Sequence, residues 1–310
     1  MKKVILTGAC GFLGSALTKR LLQSGIKVFA VDIDKTKIES MSAFGDVIPI
    51  VAKFEEYEQL PAYFQTNFPD EKIDVFYHFA WQGGLDIALK DYKLQLINAF
   101  YTCKALEQAE KIGCTKFVFA QTYNYYEIMN FVNFGVSADF EPRYTNIYSA
   151  AKVAAELIAK TIAFNGNIEY CSGAVCMTYG ENNKSKNLAN VVIRKLSNHE
   201  VPTLIEGNTF YDLIYVSDVA TAFEAIGRKG KNQKTYYVGH RSLRTFRDWI
   251  SDIRDVLFPD GELIFGGYKD TQNIDWGKVD LDALYIDTGF ECTADFTESI
   301  QCTANWLREN

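Results

Sequence analysis

The sequence predicts an α/β fold, a doubly wound parallel sheet followed by a smaller α/β domain, and three observations predict it. Short apolar runs alternate with amphipathic stretches over the first two-thirds of the 310 residues. Those runs are apolar throughout, as strands covered on both faces must be. A glycine-rich turn joins the first run to the first amphipathic stretch. Strands separated by helices need crossover connections, and right-handed crossovers wind helices onto both faces of one sheet.

Taken in order, strands are expected at Lys3–Leu6, Val28–Val31, Val47–Val51, Asp74–His78, Lys116–Ala120 and Glu169–Ser172. Amphipathic spacing predicts helices at Ser15–Ser24, Lys35–Ser42, Leu60–Gln65, Ala88–Lys111 and Tyr148–Phe164. Beyond residue 173 the elements shorten, with helices expected at Asn187–Asn198, Val219–Arg228 and Thr245–Leu257. Short strands are expected there at Leu213–Val216, Thr235–Val238 and Glu262–Phe265. The division that follows is a sheet domain over 1–172, with a return of the chain near 207–225, and a second domain made mainly of 173–310.

Composition narrows the class. With 48% hydrophobic and 23% charged residues the chain reads as soluble and globular. Net charge is −7 with no basic stripe, which argues against nucleic acid as a partner. Seven scattered cysteines with no C-x-x-C pair point to reduced thiols in a cytoplasmic setting, not to zinc or disulfides. Three histidines without ligand spacing give no reason to expect a metal. No apolar run approaches the roughly 18 residues of a membrane span, and the opening M-K-K-V-I-L-T-G reads as a strand rather than a signal peptide.

Chemistry enters with T-G-A-C-G-F-L-G, residues 7–14, at the first strand-to-helix junction. Gly8, Gly11 and Gly14 let the backbone turn tightly, approach a pyrophosphate and pack the helix on the strand, while the helix N-terminus offers N–H groups to the anion. Asp32 ends the second strand, where a carboxylate accepts ribose hydroxyls and repels a 2′-phosphate, favouring NAD over NADP. Asp34 suits a helix N-cap, and Lys35 and Lys37 keep NADP open. Further on, Y-S-A-A-K places Tyr148 and Lys152 on one helix face. An ammonium beside a phenol stabilises the phenolate and makes it a usable acid/base. Residues 116–127 read K-F-V-F-A-Q-T-Y-N-Y-Y-E, a polar cluster at the carboxyl end of a central strand, where open α/β sheets place ligands.

In this order, the glycine turn, Asp32, D-V-F-Y-H-F-A, F-V-F-A-Q-T and Y-x-x-x-K resemble the extended short-chain dehydrogenase/reductases. That is the family of NAD-dependent nucleotide-sugar epimerases and dehydratases, and the resemblance covers nearly the whole chain. Y-D-L-I-Y-V-S-D-V-A at 211–220 and Y-Y-V-G at 236–239 agree with it. It implies a Rossmann fold holding NAD through Gly8, Cys10, Gly11, Phe12, Leu13, Gly14, Asp32, Phe79, Ala80, Asn98, Tyr148 and Lys152. Catalysis would rest on Thr122, Tyr148 and Lys152, with substrate contacts from Trp81, Gln82, Tyr123, Asn187 and Leu188. The substrate would be a sugar nucleotide, the second domain its binding site, and a homodimer the expected assembly.

Departures from the family pattern shape the expectation. Sugar 4,6-dehydratases of the family carry Asp-Glu after the threonine, and here the slot reads Tyr123-Asn124, so an epimerase is expected. A keto-sugar reductase or dehydrogenase using NAD(P)H is the alternative, and a non-catalytic dinucleotide-binding regulator a further one. Tyr211 stands where an arginine commonly grips the diphosphate, Met177 where an asparagine is frequent, and Lys53 and Phe54 near the expected adenine. Lys184, Lys186, Arg194 or Arg241 could supply compensating charge.

Overall fold

The computed structural model describes residues 1–83, 86–134, 143 and 145–310. The first part runs β1 (Lys3–Thr7), α1 (Phe12–Gln23), β2 (Lys27–Asp32), α2 (Lys35–Ser40), β3 (Val47–Val51), α3 (Leu60–Asn67), β4 (Val75–His78), α4 (Tyr92–Ile112), β5 (Lys116–Thr122), α5 (Asn124–Phe134), α6 (Thr145–Asn165) and β6 (Glu169–Val175). The second runs β7 (Met177–Tyr179), α7 (Leu188–Ser197), β8 (Thr203–Ile205), β9 (Phe210–Tyr211), β10 (Leu213–Tyr215), α8 (Val216–Lys229), β11 (Lys234–Val238), β12 (Arg244–Thr245), α9 (Phe246–Leu257), β13 (Ile264–Tyr268), α10 (Ala283–Thr288) and α11 (Phe296–Glu309).

Seven strands form one sheet in the order β11-β6-β5-β4-β1-β2-β3. Every neighbouring pair is parallel. The chain therefore reverses direction between β1 and β4, the switch point where a ligand crevice opens at the strands' carboxyl ends. Burial explains why the strands read as unbroken apolar runs: Val4, Ile5 and Leu6 of β1 and Phe117, Val118 and Phe119 of β5 have no solvent exposure. One face packs against α1, α8 and α10, the other against α3, α4 and α6. A third apolar cluster, built from α7, α9, α11 and short strand pairs, makes a second lobe.

Two differences from the sequence reading have local causes. The helix expected from Ala88 starts at Tyr92 because the Asp91 carboxylate accepts the amides of Lys93 and Leu94, both at 3.1 Å. A short 3-10 turn, Asp86–Lys90, precedes it. Strands β5 and β6 run past Ala120 and Ser172, to Thr122 and Val175, because each keeps pairing with the other. Helix α8 and strand β11 return the chain to the sheet, α8 lying on α1.

Candidate active site

The turn after β1 is shaped by its neighbours. Gly8 has φ of +71°, and a Cβ there would lie 2.6 Å from the Ala80 nitrogen. The turn thus sits flush against the chain leaving β4. A Cβ on Gly14 would overlap the carbonyl oxygen of Gly8, so α1 can approach β1 only with glycine there. Gly11 is the extended N-cap of α1 and no side chain caps it. The first-turn N–H groups of α1 are left for an anion.

At the end of β2, Asp32 accepts the backbone N–H of Cys10 at 2.9 Å and of Asp34 at 3.1 Å. A carboxylate has further lone pairs, which suit ribose hydroxyls. Asp34 caps α2 through the Lys37 amide at 3.1 Å. Lys35 and Lys37 are engaged by Glu39 and Asp34. The Cys10 thiol lies 3.8 Å from the Met41 sulfur, and burial with the Asp32 charge pushes it up to about 12. Cys10 contributes a backbone link, not a nucleophile. These groups fit a dinucleotide whose pyrophosphate meets α1 and whose ribose meets Asp32.

A cleft of about 580 Å³ opens beside this turn. It brings together Gly8, Gly11, Phe12, Leu13, Gly14, Phe79, Trp81, Thr122, Tyr123, Tyr148 and Lys152. The remaining expected residues are not among those that line it. Ala80 backs the Gly8 turn. Asn98 is buried and clamps the backbone of Gln82, accepting its N–H and donating to its carbonyl, both at 2.8 Å. Asn187 is the N-cap of α7, accepting the Asn190 amide at 2.8 Å and donating to the Thr178 carbonyl at 3.0 Å. Leu188 packs into the apolar cluster of the second lobe. Phe54 lies in the core, stacked on Tyr101 at 5.1 Å rather than near the cleft. Tyr211 gives its hydroxyl to Asp270 at 3.1 Å.

Three supporting residues were not anticipated. Gln95, with no exposure, accepts the Trp81 indole N–H at 2.7 Å and donates to the carbonyls of Gly83 and Ala88. Gln121 donates to the Glu156 carboxylate at 2.7 Å and to the Lys152 carbonyl at 3.0 Å, while its oxygen accepts the Thr122 amide at 2.8 Å. Glu156, itself fully buried, also accepts Ser172 at 2.8 Å, Thr235, and the Lys160 ammonium at 2.9 Å.

Burial dominates the electrostatics of the pair. The Tyr148 phenol is pushed above its ordinary range by burial, with a Thr122 hydrogen bond working the other way. Lys152 is lowered to about 7 by burial, opposed by the Glu156 charge. Its ammonium donates to the Ala120 carbonyl at 2.7 Å and lies 6.0 Å from the Tyr148 ring centroid. The expected lowering of the phenol by Lys152 is therefore outweighed in this arrangement. His78 is also buried and held neutral, pushed down to about 3 by burial and by Lys152. It bridges Thr7 at 2.8 Å and Thr102 at 3.2 Å, a structural role.

A dinucleotide turn, a tyrosine–lysine pair and a reversed parallel sheet agree with what known proteins show. The model of the NAD dependent epimerase/dehydratase family matches residues 4–239. The chain belongs to that family. It is 22% identical to dTDP-D-glucose 4,6-dehydratase of Bos taurus, an alignment covering 100% of this chain and 89% of the relative. Among solved structures, UDP-glucuronic acid 4-epimerase from Bacillus cereus in complex with NAD superposes with a TM-score of 0.76 at 20% identity, covering 99% of this chain and 97% of that one. The dTDP-glucose 4,6-dehydratase of Bacillus anthracis, in complex with NAD, gives 0.73 at 18% identity, covering 100% and 97%. At these identities the structural likeness speaks for the fold. NAD is the family's cofactor, and the glycine turn and Asp32 of this epimerase/dehydratase are the groups suited to hold it. Among the described residues no helix is long and apolar enough to cross a membrane, and no cluster could hold a metal ion.

Proposed function

We propose that the protein is an NAD-dependent epimerase acting on a sugar nucleotide through a transient keto-sugar. The observation that carries this reading is the chemistry of the cleft walls: among the described residues that line it there is no Asp or Glu. A dehydratase needs a carboxylic acid to protonate the departing hydroxyl and a carboxylate to take a carbon-bound proton. Tyr123 and Asn124 follow Thr122 instead. Glu127, on α5, is buried and taken up by Arg143 and Asn146. Redox without elimination is what these walls support.

Tyr148 would remove the proton from a sugar hydroxyl and return it, Thr122 would hydrogen-bond the same oxygen, and Lys152 would hold positive charge beside the phenol. NAD, when bound, supplies hydride acceptance and return. Relatives named for dTDP- and UDP-sugars support a sugar nucleotide as substrate. Arg241 is engaged by Asp282 and Glu291, whereas Lys184, Lys186 and Arg194 are exposed and would be the cations left to meet a diphosphate. Seven free cysteines accord with a cytoplasmic setting.

Freshly purified protein, denatured, is expected to release NAD in one-to-one amount, and UDP- or dTDP-sugars are expected to give an isomer of unchanged mass. Product lighter by one water would make the protein a dehydratase. Stoichiometric consumption of NADPH would make it a reductase.

We also infer a homodimer through α4 and α6. Leu96 and Phe100 on α4, and Leu157 and Phe164 on α6, are exposed apolar residues at helical spacing. Light scattering is expected to give twice the chain mass, and a Phe100→Glu, Leu157→Glu double variant the single mass. A monomeric native protein would remove this interface.

A further inference from the structure

The Lys152 ammonium is walled by aromatic rings. Its Nζ lies 4.0 Å from the Trp81 centroid and 4.4 Å from that of Phe119, both inside the roughly 6 Å reach of a cation–π contact. Phe119 is a fixed part of β5, but Trp81 belongs to no regular element. Its place is set by Gln95, whose amide is spent on the indole and on the two carbonyls of Gly83 and Ala88. The indole also stands edge-on to the Tyr148 ring, 5.9 Å between centroids at 88°. One side chain thus touches both members of the pair.

We propose that Trp81 is a positioning residue for Lys152: its ring face, together with that of Phe119, holds the ammonium beside Tyr148, and Gln95 fixes the ring. This rests on the reading of Tyr148 and Lys152 as the acid/base pair. It differs from a contact between Trp81 and substrate, the role expected from its place after β4. A buried ammonium has lost its water and needs other partners for its charge. Around it stand Tyr148 and Glu156 on α6, the latter one turn along the helix and also bonded to Lys160, and His78 on β4, which burial holds neutral. The Ala120 carbonyl, which accepts its hydrogen bond at 2.7 Å, and the two ring faces supply the remaining stabilisation. Stabilising the charged form raises the pH at which Lys152 loses its proton, so removing the ring lowers it.

Two readouts test this. In the protein without substrate, Trp81 emission is expected to step with pH as Lys152 titrates. The step, isolated by subtracting the Trp81→Phe spectrum, is expected to vanish in Lys152→Met. In turnover, Trp81→Leu is expected to move the alkaline fall of kcat to lower pH by about one unit, with KM little changed. Trp81→Phe, which keeps a ring face, should move it less. A raised KM with an unmoved pH profile would make Trp81 a substrate contact and overturn the proposal, as would a Trp81 emission independent of Lys152. Turnover surviving in Lys152→Met would remove the acid/base reading instead, and the emission titration would still decide the role of Trp81.

Discussion

Replacing Tyr148 by phenylalanine is expected to lower kcat by about 10²- to 10⁴-fold, the usual worth of a positioned acid/base, while leaving the fold and the bound nucleotide in place. The substitution removes one oxygen and keeps the ring that meets Trp81 edge-on at 5.9 Å. What is lost is the phenol that hydrogen-bonds with Thr122 and stands beside the Lys152 ammonium. A phenol is protonated at neutral pH, and burial holds this one more firmly so. Proton removal from a sugar hydroxyl therefore requires charge to be brought to bear on that oxygen when the cleft is filled. Lys152 is the cation placed to do so, and Thr122 the donor. The check is steady-state turnover of the variant, with NAD quantified after denaturation and melting temperature compared with the native protein. Unreduced turnover would take the acid/base role from Tyr148 and leave the site without one.

Most of the sheet was legible because the constraint that shapes it is written locally. A strand buried on both faces has to be apolar at every position, and β1 to β6 were each located to within a few residues on that ground. Helix α5 was not: N-Y-Y-E-I-M-N-F-V-N-F follows the strand directly, and its mixed aromatic and amide residues stood out as a polar cluster at the strand end and not as a helix. Helix α11 did carry a signal, D-F-T-E, in which Asp295 accepts the Glu298 amide at 2.8 Å. Within the site, Tyr148 and Lys152 were readable from spacing, and Glu156 occupies the next position four residues on. Gln95, Asn98 and Thr102 make a polar stripe on the buried face of α4, an unusual pattern that marks a helix holding a loop. Their partners, Trp81, Gln82 and His78, could be named only once β4 and α4 were side by side. The balance between burial and charge at Tyr148 was likewise out of reach, since a sequence shows which groups are neighbours on a helix but not how much water they keep.

Glu156→Ala is expected to cost about 3–5 kcal/mol of stability, the scale for removing one partner from a buried ionic network. The carboxylate has no solvent exposure and joins four side chains: Gln121, Ser172, Thr235 and Lys160. Alanine leaves their polar atoms facing a cavity too enclosed to rehydrate freely. It also frees Gln121, the residue that ties the Thr122 amide and the Lys152 carbonyl together. Glu156→Gln keeps the shape and one acceptor, so a smaller loss of about 1–3 kcal/mol is expected. Part of that loss depends on pH, and its sign follows from Lys152. Burial lowers Lys152 to about 7 and the Glu156 charge opposes this, so without the carboxylate the lysine loses its proton at still lower pH. The native protein gains from the Glu156–Lys152 attraction only while the lysine is charged, which is below about 7. The deficit of Glu156→Gln should therefore grow as the pH falls through that value and shrink above it. Urea unfolding of both variants across this range measures the effect. Losses near the 0.5 kcal/mol typical of surface substitutions, about what an exposed carboxylate would give, would mean that Glu156 is solvated and the network does not form.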